Sequence, residues 1–95
     1  MRLVWSAESA EDLAALRAFI GADSPTAAKR LVRRIAEMVE TLLPQNPEIG
    51  RPGRAPGTRE LVVSQTPFLV AYRVHGETIE ILRVLHGAQR WPDRL

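Results

Sequence analysis

Between Ser24 and Pro44 the apolar residues Ala28, Leu31, Ile35, Met38 and Leu42 recur at steps of three and four; beyond Gly57 that rhythm is gone. Such a stripe runs along one side of a helix about five turns long. Ser24 stands at the N-cap position and Pro25 at the first helical position, where a missing N–H costs nothing. Pro44 ends the helix. Val32 and Val39 widen the stripe, while Arg30, Arg33, Arg34, Glu37 and Glu40 fill the opposite side. A helix with one long apolar side must bury it against something, and the flanking sequence says what.

On the N-terminal side, Leu13, Leu16 and Ile20 again fall at helical spacing, with Phe19 beside them. Ser6 or Ser9 can cap this helix, and Glu8, Glu11 and Asp12 suit the positive end of its dipole. Gly21 is a stop signal, and the short Gly-Ala-Asp link implies an antiparallel helical hairpin over about residues 7–43. Residues 1–5 read as a short strand.

On the C-terminal side, residues 44–57 alternate Pro44, Pro47, Pro52 and Pro56 with Gly50, Gly53 and Gly57, so no regular structure is expected in this Arg51- and Arg54-bearing loop. Three β-type runs follow within 58–86: Thr58–Ser64, Phe68–Val74 and Thr78–His86. Pro67 and His75-Gly76-Glu77 mark the turns between them. Residues 87–95 form a tail. The order β-α-α-β-β-β describes one α+β domain spanning 1–95, a helical hairpin on one face of a three-stranded antiparallel meander. The first strand has a place at the edge or centre of the sheet, and the pattern leaves that open.

A two-residue loop in the last hairpin puts Phe68, Val70, Tyr72, Val74, Ile79, Ile81, Arg83 and Leu85 on one face, which should pack on the helices. Leu69, Ala71, Arg73, Glu80, Leu82, Val84 and His86 then share the other, the candidate working face. With Gly76-Glu77 as the loop, Arg73 lies opposite Glu80.

The chain has no cysteine, which removes disulfides, thiolate zinc sites and cysteine nucleophiles and fits a reducing cytoplasm. No His, Asp and Glu stand at ligand spacing, so no metal or cofactor is expected. The apolar runs are too short to span a membrane, and Met1–Trp5 is too brief for a secretory leader. Of thirteen basic residues only Lys29 is a lysine. Residues 1–48 carry six basic and seven acidic side chains, and residues 49–95 seven and four. An arginine-biased C-terminal half suits an anionic partner, since guanidinium grips carboxylate and phosphate with two bonds.

Several segments, in this order and spacing, resemble the RelE/ParE superfamily of toxins from type II toxin–antitoxin systems. They are Ser24-Pro-Thr-Ala-Ala28, Pro47-Glu-Ile-Gly-Arg-Pro-Gly-Arg54, Gly57-Thr-Arg-Glu-Leu-Val-Val63, Thr66-Pro-Phe-Leu-Val-Ala-Tyr-Arg-Val74 and Ile79-Glu-Ile-Leu-Arg-Val-Leu-His-Gly-Ala-Gln-Arg-Trp-Pro92. The similarity covers nearly the whole chain and is closest to the ParE-like branch. It implies a cytoplasmic toxin that assembles with a cognate antitoxin into a hetero-oligomer, does not engage a membrane and needs no cofactor. It also implies inhibition of DNA gyrase, a protein–protein effect that needs no catalytic residue. The other branch implies ribosome-dependent mRNA cleavage, in which a 2′-OH attacks the adjacent phosphate with the help of a base, an acid and several cations. The sequence departs from that pattern: no lysine follows Lys29, and Trp91 is the only aromatic residue beyond Tyr72. A third alternative is an inactive relative that only binds antitoxin.

For the nuclease alternative the candidate residues are Arg59, Arg73, Arg83 and His86. For target or partner binding they are Arg51, Arg54, Arg59, Arg73, His86 and Trp91. Each has a structural alternative. Arg59 and Arg73 could pair across strands with an acidic residue such as Glu80. Arg83, sharing a face with Ile79 and Ile81, could be held in a buried ion pair. His86 could simply close a strand, and Trp91 could dock back on the sheet.

Overall fold

The computed structural model describes residues 1–92 and 95. Strand β1 (Arg2–Trp5) leads into α1 (Ala7–Gly21) and α2 (Pro25–Leu42), followed by β2 (Arg51–Pro52), β3 (Arg59–Val62), β4 (Phe68–His75) and β5 (Thr78–His86). The five strands form one sheet in the order β1-β5-β4-β3-β2. β2 to β5 run antiparallel as a meander, while β1 lies parallel to β5. The helical hairpin carries the chain from β1 to β2 at the opposite edge, and the meander then returns to lay β5 beside β1. β1 is therefore an edge strand.

Both helices begin on serine. The Ser24 hydroxyl accepts the Ala27 N–H at 3.2 Å, with Pro25 in the first turn as expected. Ser6 caps α1, accepting the Ser9 N–H at 3.0 Å. Its hydroxyl also donates to the Leu82 carbonyl at 2.8 Å, and its own N–H reaches the Ile81 carbonyl at 2.9 Å. One serine thus ends β1, starts α1 and ties both to β5.

Ile35 and Val39 of α2, with Leu43 at its cap, meet Leu61, Val63, Val70, Tyr72, Ile79, Ile81 and Val84 of the sheet in the main core. Each fully buried aliphatic side chain there contributes about 1.5–3 kcal/mol. Leu13 and Leu16 of α1 pack only at its margin.

Two expectations are corrected. The Gly/Pro segment does contain regular structure: Arg51 and Pro52 pair with Glu60 and Arg59. A proline is tolerated there because β2 is an edge strand, where a missing donor goes unnoticed. The face assignment of the last hairpin fails halfway along. Gly76 (φ +58°) opens the two-residue loop, and Arg73 does lie opposite Glu80. Tyr72 pairs with Ile81, but Ala71 pairs with Arg83, so Leu82 is the extra residue of a β-bulge. Beyond it every side chain changes face. Val84 joins Ile79 and Ile81 in the core, and Arg83 and Leu85 leave that face. The intended working face is also largely closed, for Leu69, Ala71 and Leu82 are buried, as is Leu85, expected on the packing face.

The outer edge of β5 runs on past the end of β1 and is sealed by side chains. Asp12 accepts the Val84 N–H at 2.9 Å, and the Gln89 amide oxygen accepts the His86 N–H at 2.8 Å. Covering an edge in this way keeps it from pairing with another chain. Among the described residues no helix is long and apolar enough to cross a membrane.

Candidate functional site

The arginine-rich loop is held over the sheet by two residues that the sequence reading did not single out. Tyr72 is fully buried, and its hydroxyl donates to the Pro47 carbonyl and accepts the Gly50 N–H, both at 2.8 Å. A Cβ on Gly50 would sit 2.7 Å from the Tyr72 ring and hydroxyl, so only glycine fits under the latch. Burial pushes the Tyr72 phenol above its ordinary value near 10, while the Gly50 bond and nearby Arg59 draw it partly back. The second residue is Glu60, whose side chain is only 2% exposed. One of its oxygens accepts the Arg54 N–H at 2.8 Å and lies 3.7 Å from Arg54 Nε; the other is 3.3 Å from Arg51 Nη2. A carboxylate this deeply buried has to be paired, and these two arginines pair it.

Arg51 and Arg54 remain about half exposed, so they present charge while serving Glu60. The Arg54 guanidinium lies 3.8 Å from the Trp91 ring centre, a cation–π contact. Trp91 Nε1 donates to the His86 carbonyl at 3.3 Å, so the start of the tail docks back on the sheet. Arg73 and Glu80 face each other at 3.9 Å, both well exposed. Leu95 lies beside them, lining with Arg73, Glu80 and Leu82 a cavity of about 240 Å³. The face thus carries Arg51, Arg54, Arg73 and Trp91 around its buried Glu60.

Of the other candidates, Arg83 lines that same cavity beside Arg73, while Arg59 and His86 lie elsewhere. Arg59 pairs with no acid among the described residues; it donates to the carbonyls of Gly50 at 2.8 Å and Glu48 at 3.2 Å. It is a second latch on the loop, not a partner of Glu80. Arg83 makes a two-pronged pair with Asp12, Nε at 2.8 Å and Nη2 at 2.9 Å. Those hydrogen bonds hold its guanidinium charged more firmly than usual. His86 stands edge-on to Phe68, ring centres 5.5 Å apart, and its Nδ1 accepts the Ala88 N–H at 3.0 Å. Arg59, Arg83 and His86 therefore occupy three separate places, each engaged in a structural bond. Among the described residues no His, Asp and Glu cluster could hold a metal ion.

Tyr72 carried a legible signal: a lone tyrosine on an apolar strand face needs a partner for its hydroxyl. Glu60, a carboxylate entering a β-run beside an arginine-rich loop, carried a weaker one. Asp12 reads as a helix-dipole residue, and nothing local distinguishes that from pairing with residue 83.

The sequence pattern of the family described as "ParE toxin of type II toxin-antitoxin system, parDE" matches residues 3–91. Y4kP of Sinorhizobium fredii, a protein described as a toxin, is 40% identical over 94 residues, covering 99% of this chain and 96% of its own. Toxin RelE2 of Caulobacter vibrioides is 36% identical over 88 residues, covering 93% and 97%. Among solved structures, the chromosomal ParDE system of P. aeruginosa contains a chain similar at a TM-score of 0.80 and 35% identity, covering 90% of this chain and 95% of that one. A chain of the RelBE2 toxin–antitoxin complex of Mycobacterium tuberculosis shares the fold at a TM-score of 0.66 and 23% identity, with the same coverage.

Proposed function

The chain belongs to the ParE toxin family of type II toxin–antitoxin systems, and from that premise we propose that it stops growth by inhibiting DNA gyrase and is silenced by a cognate antitoxin. It acts in the cytoplasm, as a hetero-oligomer with that antitoxin until released. The face formed by Arg51, Arg54, Arg73 and Trp91 meets the target, and no cofactor takes part.

Relatives carrying both the ParE and RelE names share the fold, so the choice between targets rests on side chains. The observation that carries it is the dispersal of Arg59, Arg83 and His86. Phosphodiester cleavage through a 2′-OH needs an acid, a base and cations converging on one phosphate. Here Arg83 is closed on Asp12, Arg59 is spent on loop carbonyls, and His86 stands at a strand end against Phe68. What stays exposed is an arginine and tryptophan surface suited to gripping another macromolecule. The solved ParDE chain, at 35% identity over 90% of this one, supports the same side.

The test is pulse labelling after induction of the toxin alone, with thymidine and methionine incorporation followed in parallel. Thymidine incorporation falling first is the expected result. Methionine incorporation collapsing first would make translation the target and revive mRNA cleavage. Undisturbed growth would mean an inactive relative.

A further inference from the structure

Where α2 stops, away from the arginine and tryptophan face, lies a hollow of about 720 Å³. Residues 46–49 form one wall, and Gly57, Arg59 and Val74 complete the lining. Arg59 pairs with Tyr72 across the strands and Val74 follows two residues later, so both stand on the side of the sheet that Tyr72 faces. The volume is that of a site for a small organic molecule. Two of the lining residues are apolar and open: Ile49 is 48% exposed and Val74 36%. The cation is Arg59. Its Nη1 is taken up by the carbonyls of Gly50 and Glu48. Its Nε and Nη2 donate to nothing among the described residues, and none of the ion pairs there includes it. Glu48 lines the same hollow without closing on Arg59 through its carboxylate.

A guanidinium with Nε and Nη2 unused, beside open aliphatic walls, is the complement of a monocarboxylate with a short hydrocarbon body. We infer that this hollow binds such a ligand, its carboxylate on Nε and Nη2 of Arg59 and its hydrocarbon against Ile49 and Val74. Both halves of the ligand are needed. A hydrocarbon without charge would cover the guanidinium and leave it unpaired. A dianion, phosphate included, would meet one cation only and stand near the Glu48 carboxylate. Arg59 also clasps the Gly50 and Glu48 carbonyls, so a ligand that fixes its side chain steadies the loop that carries Arg51 to Glu60. The inference does not depend on which target the chain inhibits.

The test titrates the isotope-labelled full chain at neutral pH with hexanoate, and in parallel with hexanol, hexylammonium and adipate. Hexanoate should give saturating shifts at the amides of Ile49, Gly57 and Val74, with a dissociation constant on the order of 1 mM, the range a ligand of this size reaches. The three comparison compounds should bind more weakly. Exchange of the Gly50 amide, which donates to Tyr72, should slow at saturation. Arg59→Gln should abolish binding, but it also loosens the loop, so two variants at the exposed Val74 decide. Val74→Asp should weaken hexanoate by at least about tenfold, and Val74→Lys should bind it at least as tightly as wild type. Thermal melting checks that each variant stays folded. Equal shifts with hexanol, tighter binding of adipate or equal affinity in the two Val74 variants overturns the inference. So do shifts that fail to saturate, or Gly50 exchange that is unchanged at saturation.

Discussion

Tyr72 shows how one hydroxyl fixes the position of a loop. Its two hydrogen bonds hold Pro47 and Gly50, and so the stretch that delivers Arg51 to Glu60. Tyr72→Phe should destabilise the fold by about 1–3 kcal/mol at neutral pH, because a buried N–H loses its acceptor. The same residue sets an alkaline limit. Its phenol titrates above its ordinary value in the folded protein, so the unfolded chain releases that proton first. The stability this contributes is present below about pH 10 and lost as pH rises through the higher folded value. Denaturant melts across that window should show wild type losing more stability than Tyr72→Phe; parallel curves would show that the buried phenol is not the titrating group. Removing Arg51 and Arg54 together leaves the Glu60 carboxylate buried with little compensation, so the double alanine variant should be less stable than Glu60→Gln. Loss of toxicity in that double variant must therefore be read beside its melting curve.

The elements are joined chiefly where β5 outruns β1. From Leu82 to His86 the strand has a partner on one side only, and Ser6, Asp12 and Gln89 supply the missing one. Asp12 does most of this, taking one backbone N–H and both prongs of Arg83. Asp12→Ala should cost about 2 kcal/mol, since it leaves a half-buried guanidinium and a strand N–H unpaired. Exchange of the Val84 amide should speed up with it, and Asp12→Asn should restore part of the loss. An unchanged Val84 exchange rate would mean that the edge is not sealed by Asp12. The bulge at Leu82 belongs to the same arrangement: it turns the carbonyls of Ile81 and Leu82 toward Ser6 and swings Arg83 toward Asp12.

At the scale of the whole molecule the two sides of the sheet have different tasks. One is filled by α2 and, more thinly, α1. The other carries the arginine and tryptophan surface and receives the tail. If this surface meets the target, Trp91→Ala should abolish growth arrest while shifting stability by only about 0.5–1 kcal/mol, the worth of one exposed cation–π contact. His86→Ala, in contrast, should remain toxic. Both are read by viable counts after induction, and a harmless His86→Ala that still binds antitoxin would favour cleavage chemistry over gyrase.

The sequence by itself determined whatever depends on neighbours along the chain. The helix stripes, their serine caps, the Pro25 start, the Gly76-Glu77 turn and the opposition of Arg73 and Glu80 all follow from local periodicity and turn chemistry. Together they determined the α+β order, and the ordered motifs carried the family. The tertiary structure decided everything that depends on which group finds which across the fold. A single inserted residue at Leu82 reversed half of a strand, because strand side chains alternate with period two and count has no tolerance. Burial decided that Glu60 must be paired and that Arg51 and Arg54 would pair it. Proximity decided that Asp12 would close on Arg83, although 71 residues separate them. Charges are placed by pairing and desolvation in three dimensions, and no spacing along the chain records either.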